Sequence, residues 1–407
     1  MSVVIRSDCR GCGGPLSDFL SLGNQPLANA LIALDAPDAP TFPLTLARCT
    51  SCGLVQLREV VDPAVLFADY AYVPSTSSTM RAHFDELAGS MVARLGLESG
   101  DLVVDVGSND GLLLSGFQRR GMRVQGIEPA ENLARLAEAH GIPTLVAFFN
   151  ADVARGLART TRAALVTATN VFAHVDDVRG FMRAAFELLA PDGVFLVEVQ
   201  SFADTVSALA FDMTYHEHMT YYATAPLARM CAAEGLELLD VERVATHGGS
   251  LRALIGRAGH PLARPDRVAA RVAEEGTRAA AEGCRTLAEG AAVVREELPR
   301  LLRSLRAQGA RVAAYGAPAK ATVLLNYCGL TTDDVQFVVD KNVAKQNRLV
   351  PGVRIPVVGP ERLLEDPPTH LLVLAWNLLD EIIREQATFR EQGGAFIAPV
   401  PHPLVMV

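Results

Sequence analysis

The segment Leu102-Val-Val-Asp-Val-Gly-Ser-Asn-Asp-Gly111 decides the fold of this chain. Its first five residues are an apolar run broken by one acid, a pattern typical of a buried parallel strand. The run enters a turn and then a helix that we expect over 112–120. Strand and helix continue to alternate, with strands expected at 123–127, 164–167 and 194–199 and helices at 132–140 and 178–190. This alternation predicts a doubly wound α/β sheet, whose ligands bind at the carboxyl ends of its strands.

The turn after the first strand does not have the G-x-G-x-x-G spacing of a pyrophosphate cradle. It reads Asp105-x-Gly107-x-Asn109-x-Gly111, and its acids would repel a diphosphate but suit a cationic ligand that carries an amine. Glu128 follows about twenty residues later at the tip of the second strand, where a carboxylate accepts hydrogen bonds from two ribose hydroxyls. An NAD-binding Rossmann domain and a turn that serves only the fold are the two alternatives.

The same turn resembles motif I of the class I S-adenosylmethionine methyltransferases, and Glu128 resembles their acidic ribose residue. The segment Asn170-Val-Phe-Ala-His174, after the fourth strand, resembles the part of that superfamily which borders the cofactor and the reactive pocket. The resemblance implies that Asn170 contacts the cofactor, whereas His174 either contacts the substrate or is a core histidine. The residues assigned to S-adenosylmethionine are Asp105, Gly107, Asn109, Gly111, Glu128 and Asn170.

Four of the seven cysteines form two C-x2-C pairs, each followed by a glycine. The pairs are Cys9 with Cys12 and Cys49 with Cys52. Two residues between thiols let one tight turn direct both sulfurs at a single ion, and two such turns supply a tetrahedral set. Disulfides are disfavoured in a cytosolic chain, and four buried thiols would not be expected to fall into such pairs. The pattern predicts structural Zn²⁺ with no open position for catalysis.

Residues 211–222 read Phe-Asp-Met-Thr-Tyr-His-Glu-His-Met-Thr-Tyr-Tyr, a dense set of aromatic and titratable groups. The spacing is not H-E-x-x-H, and a metal site from His216 and His218 has no third ligand that stands out. A packed aromatic turn without chemistry is another alternative. We favour acid–base chemistry, because histidine is the natural general base near neutral pH and a neighbouring carboxylate holds it in position. A tyrosine hydroxyl can donate to a developing oxyanion.

A second α/β unit is expected after an Ala-, Glu- and Arg-rich helical stretch, in which Pro299 predicts a kink or a new start. A strand over 311–315 leads through Gly316-Ala-Pro-Ala-Lys320 into a helix. The amino end of this helix and Lys320 can receive an anion, and we expect a nucleotide diphosphate. Asn377 follows a later strand, and His247 precedes two glycines in a tight turn. These two residues either line the same cleft or serve only local structure.

Several stretches, in order along nearly the whole chain, resemble the sugar C-methyltransferases of antibiotic deoxysugar pathways, which act on dTDP-linked 4-keto sugars. They are the two cysteine pairs, Tyr70-Ala-Tyr72, Ser75-Thr-Ser-Ser-Thr-Met80, the turn at 105–111, Tyr215-His-Glu-His218, His247-Gly-Gly-Ser-Leu-Arg252 and Tyr315-Gly-Ala-Pro-Ala-Lys320. The resemblance implies that His218 is the catalytic base, with Tyr215 and Glu217 beside it. The candidate substrate contacts are Tyr70, Tyr72, His174, His247, Lys320 and Asn377.

Methylation of carbon requires a carbanion, which a base generates by removing the proton next to a ketone. A 4-ketone acidifies both C-3 and C-5 of the sugar, and we favour C-3. Three alternatives stay open: a methyltransferase that acts on oxygen or nitrogen, an NAD-dependent epimerase or dehydrogenase, and a non-catalytic protein that binds the cofactor or a nucleotide. The missing G-x-G-x-x-G turn disfavours the second, and the presence of Tyr215, Glu217 and His218 disfavours the third.

We therefore expect an α/β chain with a Rossmann-like class I methyltransferase domain, flanked by an N-terminal zinc-binding domain and a C-terminal α/β domain with a parallel sheet. The expected boundaries are 1–68 for the zinc domain, 69–260 for the methyltransferase domain, 261–309 for a helical connector and 310–407 for a substrate-binding domain.

The composition argues against nucleic acid or a membrane as a partner. Lys and Arg number 37 against 46 Asp and Glu, a net charge of −9, and no basic tract offers a surface for nucleic acid. The longest apolar runs fall far short of the ~20 residues that span a bilayer, and the first residues lack the apolar core of a signal peptide. We expect a cytoplasmic enzyme, monomeric or weakly oligomeric, whose partner is a small-molecule dTDP-sugar.

Overall fold

The structure of the protein, a computed structural model, describes residues 3–67 and 73–406, apart from the side chain of His247. Antiparallel strands build the N-terminal region around the cysteine pairs. Its elements are β1 (Val3–Ile5), β2 (Leu16–Pro26), β3 (Ile32–Ala33), β4 (Thr41–Cys49), β5 (Val55–Leu57), β6 (Glu59–Val61) and α1 (Pro63–Phe67). β4 pairs with β2 and β5, and β1 pairs with β6. Phe42, Leu44 and Leu46 are buried at alternate positions of β4, because successive side chains of a strand point to opposite faces.

The central region alternates strands and helices. Its elements are α2 (Ser78–Leu95), β7 (Leu102–Val106), α3 (Leu112–Gln118), β8 (Arg123–Ile127), α4 (Glu131–Ala139), β9 (Thr144–Leu145), α5 (Ala151–Ala158), β10 (Ala163–Thr169), α6 (Val178–Leu188), β11 (Leu189–Gln200), α7 (Phe202–Ser207), β12 (Thr220–Tyr221), α8 (Thr224–Ala233), β13 (Leu236–Val244) and β14 (Ser250–Arg257). The sheet order is β13-β14-β11-β10-β7-β8-β9. β14 is antiparallel to both of its neighbours, and the pairs from β11 to β9 are parallel.

The strand order reverses at β7. From β7 the chain moves outward through β8 to β9, then returns across the sheet to β10 on the other side of β7. Such a switch point leaves a crevice at the carboxyl ends of the two strands, where α/β sheets bind ligands. The turn at 107–111 follows β7 and Asn170 follows β10, so both predicted cofactor segments border this crevice.

The C-terminal region holds two long helices and a second sheet. Its elements are α9 (Pro265–Glu275), α10 (Ala281–Ala307), β15 (Val312–Tyr315), α11 (Ala319–Tyr327), β16 (Val338–Val339), β17 (Arg348–Leu349), β18 (Pro356–Val358), α12 (Arg362–Glu365), β19 (His370–Val373), α13 (Leu379–Glu385), α14 (Ala387–Glu391), β20 (Ala395–Ala398) and β21 (Leu404–Met406). The sheet order is β21-β20-β19-β15-β16-β18-β17-β3. β20, β19, β15, β16 and β18 are parallel, whereas β21, β17 and β3 pair antiparallel at the two edges.

Helix α10 joins the N-terminal and C-terminal cores. Its buried apolar residues recur every three or four positions, as one face of a helix requires: Cys284, Leu287, Ala291, Val294, Leu298 and Leu302. They share one apolar cluster with Leu22 and Leu44 of the N-terminal sheet and Val312 of β15. The helix runs through Pro299 without a new start, so that part of the sequence prediction is wrong. Tertiary packing on this long apolar face outweighs the hydrogen bond that a proline removes.

Two strand pairings tie the N-terminal region to the others. β12 pairs antiparallel with β5, with Tyr221 opposite Val55, and thereby extends the N-terminal sheet with residues of the segment 211–222. β3 pairs antiparallel with β17 at the edge of the C-terminal sheet. The N-terminal region is therefore connected by backbone hydrogen bonds to both α/β regions.

The predicted fold class is confirmed: a Rossmann-like methyltransferase sheet lies between a cysteine-containing N-terminal region and a second α/β sheet. The exact domain boundaries stay predictions. In the described part of the chain, no helix combines the length and the apolar character that crossing a membrane requires.

Candidate active site

The two cysteine pairs meet at one point. The Sγ atoms of Cys9 and Cys52 lie 3.6 Å apart and those of Cys12 and Cys49 lie 3.5 Å apart, and all four sulfurs lie within 4.8 Å of one another. A disulfide would place two sulfurs about 2.05 Å apart, so none is formed. Sulfurs at about 2.3 Å from Zn²⁺ in a tetrahedron stand roughly 3.8 Å from each other, which the observed spacing matches.

Backbone donors complete this metal site. The N–H of Gly11 donates to Cys9 Sγ at 3.3 Å, and the N–H of Cys52 donates to Cys49 Sγ at 3.4 Å. Such N–H groups stabilise thiolate charge, so the donor set fits Zn²⁺ with four sulfur ligands. A closed set of four ligands holds structure and leaves no coordination position for a substrate.

The buried acid at the end of β7 lies at the switch point. Thr167 on β10 donates its hydroxyl to Asp105 Oδ1 at 2.6 Å, which joins the two strands across the crevice. Burial raises the pKa of Asp105 to about 7, and the nearby charge of Glu128 adds to this effect. A cationic ligand at this place would favour the ionised carboxylate.

The turn that follows Asp105 approaches the second cofactor segment closely. Gly107 has a φ of +68°, and a Cβ there would lie 2.3 Å from Cγ2 of Val171. Asn109 and Asn170 also have positive φ, at +51° and +58°. Only glycine fits at position 107, because any larger residue would push the two segments apart.

Glu128 closes the other side of the crevice. Its Oε2 accepts a hydrogen bond from the Asn109 N–H at 2.9 Å, and its Oε1 accepts one from the Ala130 N–H at 2.8 Å. Burial raises the pKa of Glu128 above its usual value. Each oxygen keeps a further lone pair for a ligand hydroxyl. Ser108 Oγ and Asp110 Oδ1 are buried nearby without a partner among the described residues, so the donor set fits an adenosyl cofactor.

A short polar contact within the segment 211–222 joins Tyr215 and His218. Tyr215 Oη lies 2.7 Å from His218 Nε2, and His218 Nδ1 lies 3.1 Å from the carbonyl oxygen of Met213. A carbonyl only accepts, so Nδ1 carries a hydrogen. When the imidazole is neutral, Nε2 is its basic nitrogen and accepts from the tyrosine hydroxyl.

His174 belongs to a stack of rings with His218. The two imidazoles stack at a centroid distance of 5.2 Å, and Phe67 stacks on the opposite face of His174 at 5.4 Å. Burial lowers the pKa of His174 to about 4, so this ring is neutral near pH 7. A neutral neighbour does not repel His218 when His218 takes up a proton. The structure therefore brings His174 and His218 together.

The two remaining titratable groups of this motif point to different places. Glu217 is 3% exposed, and Asn29 of the N-terminal region donates Nδ2–H to its Oε1 at 2.7 Å. His216 donates Nε2–H to the carbonyl oxygen of Pro43 at 3.0 Å and packs edge-on against Phe42. His216 is thus engaged by β4, and in the described part of the chain the cluster with metal-binding geometry is that of the four cysteines.

Lys320 and Asn377 meet at the boundary with the C-terminal sheet. Lys320 Nζ donates to Asn377 Oδ1 at 2.5 Å and lies 3.6 Å from the ring centroid of Trp376. Trp376 Nε1 in turn donates to Asp212 Oδ2 at 2.7 Å. Burial lowers the pKa of Lys320 to about 8 and raises that of Asp212 to about 6. The cluster links the segment 211–222 to α11 and to the residues after β19.

The turn before α11 is already engaged by other parts of the protein. The N–H of Ala317 donates to Asp340 Oδ2 at 2.7 Å, and Lys345 Nζ donates to the carbonyl oxygen of Ala317 at 2.8 Å. A diphosphate near this turn would therefore depend on Lys320 and on later N–H groups. The predicted diphosphate site stays a prediction, and Ala317 does not contribute a free donor to it.

The other predicted substrate contacts are described only in part. Tyr70 and Tyr72 lie outside the described residues, and so does the side chain of His247. The backbone of His247 forms a 3₁₀ turn over Thr246–Gly248. A Cβ on Gly248 would lie 3.8 Å from Cη2 of Trp376, so this turn borders the Lys320 cluster.

Sequence analysis missed three residues that the structure places at the site. Asp212 is the second residue of the quoted segment, and an acid between Phe211 and Met213 is a signal for a buried functional or structural carboxylate. Arg10 lies between two zinc ligands and makes contacts described below. Asn29 reaches Glu217 across 188 positions of sequence, and no local pattern indicates such a contact.

Three family models match successive parts of the chain. The model described as "Putative zinc binding domain" matches residues 9–67, "Methyltransferase domain" matches 80–241, and "C-methyltransferase C-terminal domain" matches 245–401. With the four-sulfur geometry, the first match makes Zn²⁺ the metal of the N-terminal region. The second match agrees with the strand order of the central sheet and with S-adenosylmethionine as the cofactor.

Curated relatives give the same family. C-methyltransferase NovU of Streptomyces niveus is 38% identical over 414 residues, which cover 100% of this chain and 99% of that protein. A ubiquinone biosynthesis O-methyltransferase of Methylobacterium sp. (strain 4-46) is 29% identical over 163 residues, which cover 37% of this chain and 65% of that protein. Among solved structures, magnesium protoporphyrin IX methyltransferase of Synechocystis PCC 6803 is 14% identical, with a TM-score of 0.34, over 44% of this chain and 79% of that one. Full-length similarity at 38% identity and the two methyltransferase models together establish that the chain belongs to the S-adenosylmethionine-dependent sugar C-methyltransferase family.

Proposed function

We propose that this C-methyltransferase acts on a dTDP-linked 4-keto-deoxysugar and methylates the carbon next to the ketone, at C-3 in preference to C-5. The observation that carries the proposal is the pair of hydrogen bonds on His218. Its Nδ1 donates to the Met213 carbonyl while its Nε2 accepts from Tyr215, so an unprotonated nitrogen is held in place beside a phenol. Methyl transfer to oxygen or nitrogen would need no hydrogen-bond donor for an enolate oxygen, which Tyr215 can supply here.

The crevice at the ends of β7, β8 and β10 is the proposed cofactor site. S-adenosylmethionine supplies an electrophilic methyl group there. Asp105 attracts the ammonium group of the cofactor, and Glu128 accepts hydrogen bonds from the ribose hydroxyls. Gly107 and Gly111 let the backbone approach, and Asn109 and Asn170 border the ligand from the two facing turns.

Proton removal from the sugar is assigned to His218. Its Nε2 takes the proton from the carbon next to the ketone, and the electron pair of the broken C–H bond becomes the enolate. For this to happen, the Tyr215 hydroxyl turns from Nε2 to the ketone oxygen, where it donates to the developing negative charge. With S-adenosylmethionine bound, the enolate carbon would take its methyl group, the methyl–sulfur bond would break and S-adenosylhomocysteine would leave, while the abstracted proton stays on His218. Glu217 stabilises the protonated imidazole through the local field of a buried carboxylate.

The sugar nucleotide is expected between His174 and the cluster around Lys320. His174 lies against His218, and the cluster of Lys320, Asn377 and Trp376 lies beside the turn that contains His247. Trp376 offers an aromatic face beside a cation, which suits a nucleotide that carries a base and two phosphates. Tyr70 and Tyr72 are proposed to complete this pocket from the N-terminal side.

A product analysis tests the function. The enzyme is incubated with S-adenosylmethionine labelled in the methyl group and with dTDP-4-keto-6-deoxysugars, and the product is examined by NMR. We expect the label on C-3. Label on C-5 would correct the position, whereas label on oxygen or nitrogen, or no transfer to any keto sugar, would refute the proposal.

A further inference from the structure

Arg10 lies between the zinc ligands Cys9 and Cys12, yet its side chain leaves the metal site. Its guanidinium is fully buried. NH1 donates to the carbonyl oxygen of Leu57 at 2.5 Å, and Nε donates to Asp176 Oδ1 at 2.9 Å. The residue thus connects the first zinc knuckle, the turn formed by residues 9–12, to the end of β5 and to the loop after His174.

The carbonyl that Arg10 holds belongs to a junction of three backbone segments. Leu57 N–H donates to the carbonyl oxygen of Met219 at 2.9 Å, and Met219 N–H donates to the carbonyl oxygen of Ala173 at 2.8 Å. Met219 directly follows His218, and Ala173 directly precedes His174. The junction therefore fixes the backbone beside both stacked imidazoles.

A second contact of Arg10 fixes the same junction. Its backbone N–H donates to Gln56 Oε1 at 2.8 Å, and Gln56 lies opposite Thr220 in the pairing of β5 with β12. The knuckle thus holds β5 through a side chain and a main-chain donor, and β5 holds the strand that begins two residues after His218.

We propose that Arg10 is a positioning residue for His218, and that the zinc knuckle acts on the reaction through this arginine. The inference rests on the proposed role of His218 as base. A base must stand within hydrogen-bond reach of the proton it removes, and a displacement of 1 Å lowers the rate of such a step about 10²-fold. Among the described contacts, Arg10 reaches no atom of the crevice, and its path to His218 runs through Leu57 and Met219.

Arg6 offers a matched control. It lies in the same N-terminal region and pairs with the same carboxylate, with NH1 at 3.1 Å from Asp176 Oδ2. Its side chain has no hydrogen bond to Leu57 among the described contacts. Arg6→Met therefore removes an arginine from Asp176 and leaves the junction intact, whereas Arg10→Met removes the donor from Leu57.

The test measures the proton-removal step by itself. Exchange of the sugar proton next to the ketone is followed by NMR in D₂O without methyl transfer, alongside the dissociation constant of S-adenosylhomocysteine, the zinc content per chain and the melting temperature. We expect Arg10→Met to slow exchange about 10²-fold with unchanged zinc content and cofactor affinity. Arg6→Met should exchange at the wild-type rate, and exchange by Arg10→Met at that rate would overturn the inference.

A conservative variant covers the case in which Arg10→Met does not fold. Arg10→Lys keeps the positive charge, but the donors of a lysine sit on one nitrogen and do not reproduce the two separate contacts that Arg10 makes through NH1 and Nε. We expect its exchange rate to lie between those of wild type and Arg10→Met, roughly tenfold below wild type, at normal cofactor affinity. A rate equal to that of Arg6→Met would contradict the inference. If His218→Asn retained exchange, the proposed base would be refuted independently of Arg10.

Discussion

Tyr215 Oη lies 2.7 Å from Nε2 of His218, within hydrogen-bond distance, and the two rings lie 4.0 Å apart between centroids. The phenol therefore rests on the nitrogen that the proposed mechanism uses as a base. Before proton removal this bond must break, and the freed hydroxyl is then available for the enolate oxygen. In the proposed mechanism, Tyr215 therefore covers the resting base and then donates to the enolate oxygen.

Tyr215→Phe separates these two roles. Nε2 loses its resting partner, but the enolate loses a donor, and loss of one oxyanion donor lowers kcat about 10²–10³-fold. We expect that loss in kcat with little change in cofactor affinity, measured by steady-state kinetics and calorimetry. Tyr327→Phe is the control, because it removes a tyrosine hydroxyl from α11. A wild-type kcat for Tyr215→Phe would show that the Tyr215 hydroxyl does not act in the reaction.

Asn29 is predicted to hold the carboxylate of Glu217. Removing a donor from a buried, charged acceptor costs about 1.5–3 kcal/mol, so Asn29→Ala should lower kcat by about tenfold or more. Asn29→Asp should be worse, because it places a second carboxylate against Glu217. Asn24→Ala, at an exposed asparagine of β2, should be neutral. Equal kcat for Asn29→Ala and Asn24→Ala in the same assay would argue against this contact.

Loss of zinc is predicted to loosen the segment 211–222. β12 is paired with β5, and β5 begins three positions after Cys52. If the cysteine turn becomes disordered, β5 is no longer held in place to pair with the segment 211–222. In Cys49→Ser, amide hydrogen exchange should rise in a peptide covering 211–222 and stay constant in one covering β8. Cys328→Ser, which changes a thiol outside the zinc site, should change neither peptide. Unchanged exchange in zinc-free Cys49→Ser would contradict the coupling.

Cofactor affinity is predicted to depend on pH through Asp105. Burial raises the pKa of Asp105 to about 7, so the carboxyl is increasingly protonated, and less attractive to an ammonium group, as the pH falls below 7. The dissociation constant of S-adenosylhomocysteine should therefore rise from pH 7.5 to pH 5.5, by up to about tenfold per pH unit. Calorimetry at several pH values measures this. Asp105→Asn should bind weakly with a flat profile, and a sloping profile in that variant would assign the titration to another group.

The buried centre of the fold was predictable from sequence. β7 and β8 begin and end at the expected residues, because buried parallel strands are short apolar runs bounded by turns. The four-cysteine site was equally predictable from sequence, because a tight pair of thiols needs only two intervening residues. The antiparallel hairpin of β13 and β14 was not predicted, although it completes the edge of the same sheet.

The contacts between regions were not predictable, for a physical reason. β12 and β3 are two-residue strands that pair with partners more than 150 positions away, and such short pairings have no periodicity to recognise. Arg10 and Asn29 act on the site through tertiary contacts of the same kind. The new start expected at Pro299 is absent because the buried face of α10 outweighs the local preference of proline.

The most direct test of the central claim is proton exchange by His218. Wild-type enzyme and His218→Asn are mixed with a dTDP-4-keto-6-deoxysugar in D₂O, and loss of the C-3 proton is followed by NMR, with S-adenosylhomocysteine affinity measured for both. We predict exchange by the wild type and none above background by His218→Asn, at equal affinity. Exchange by His218→Asn at the wild-type rate would show that another group removes the proton.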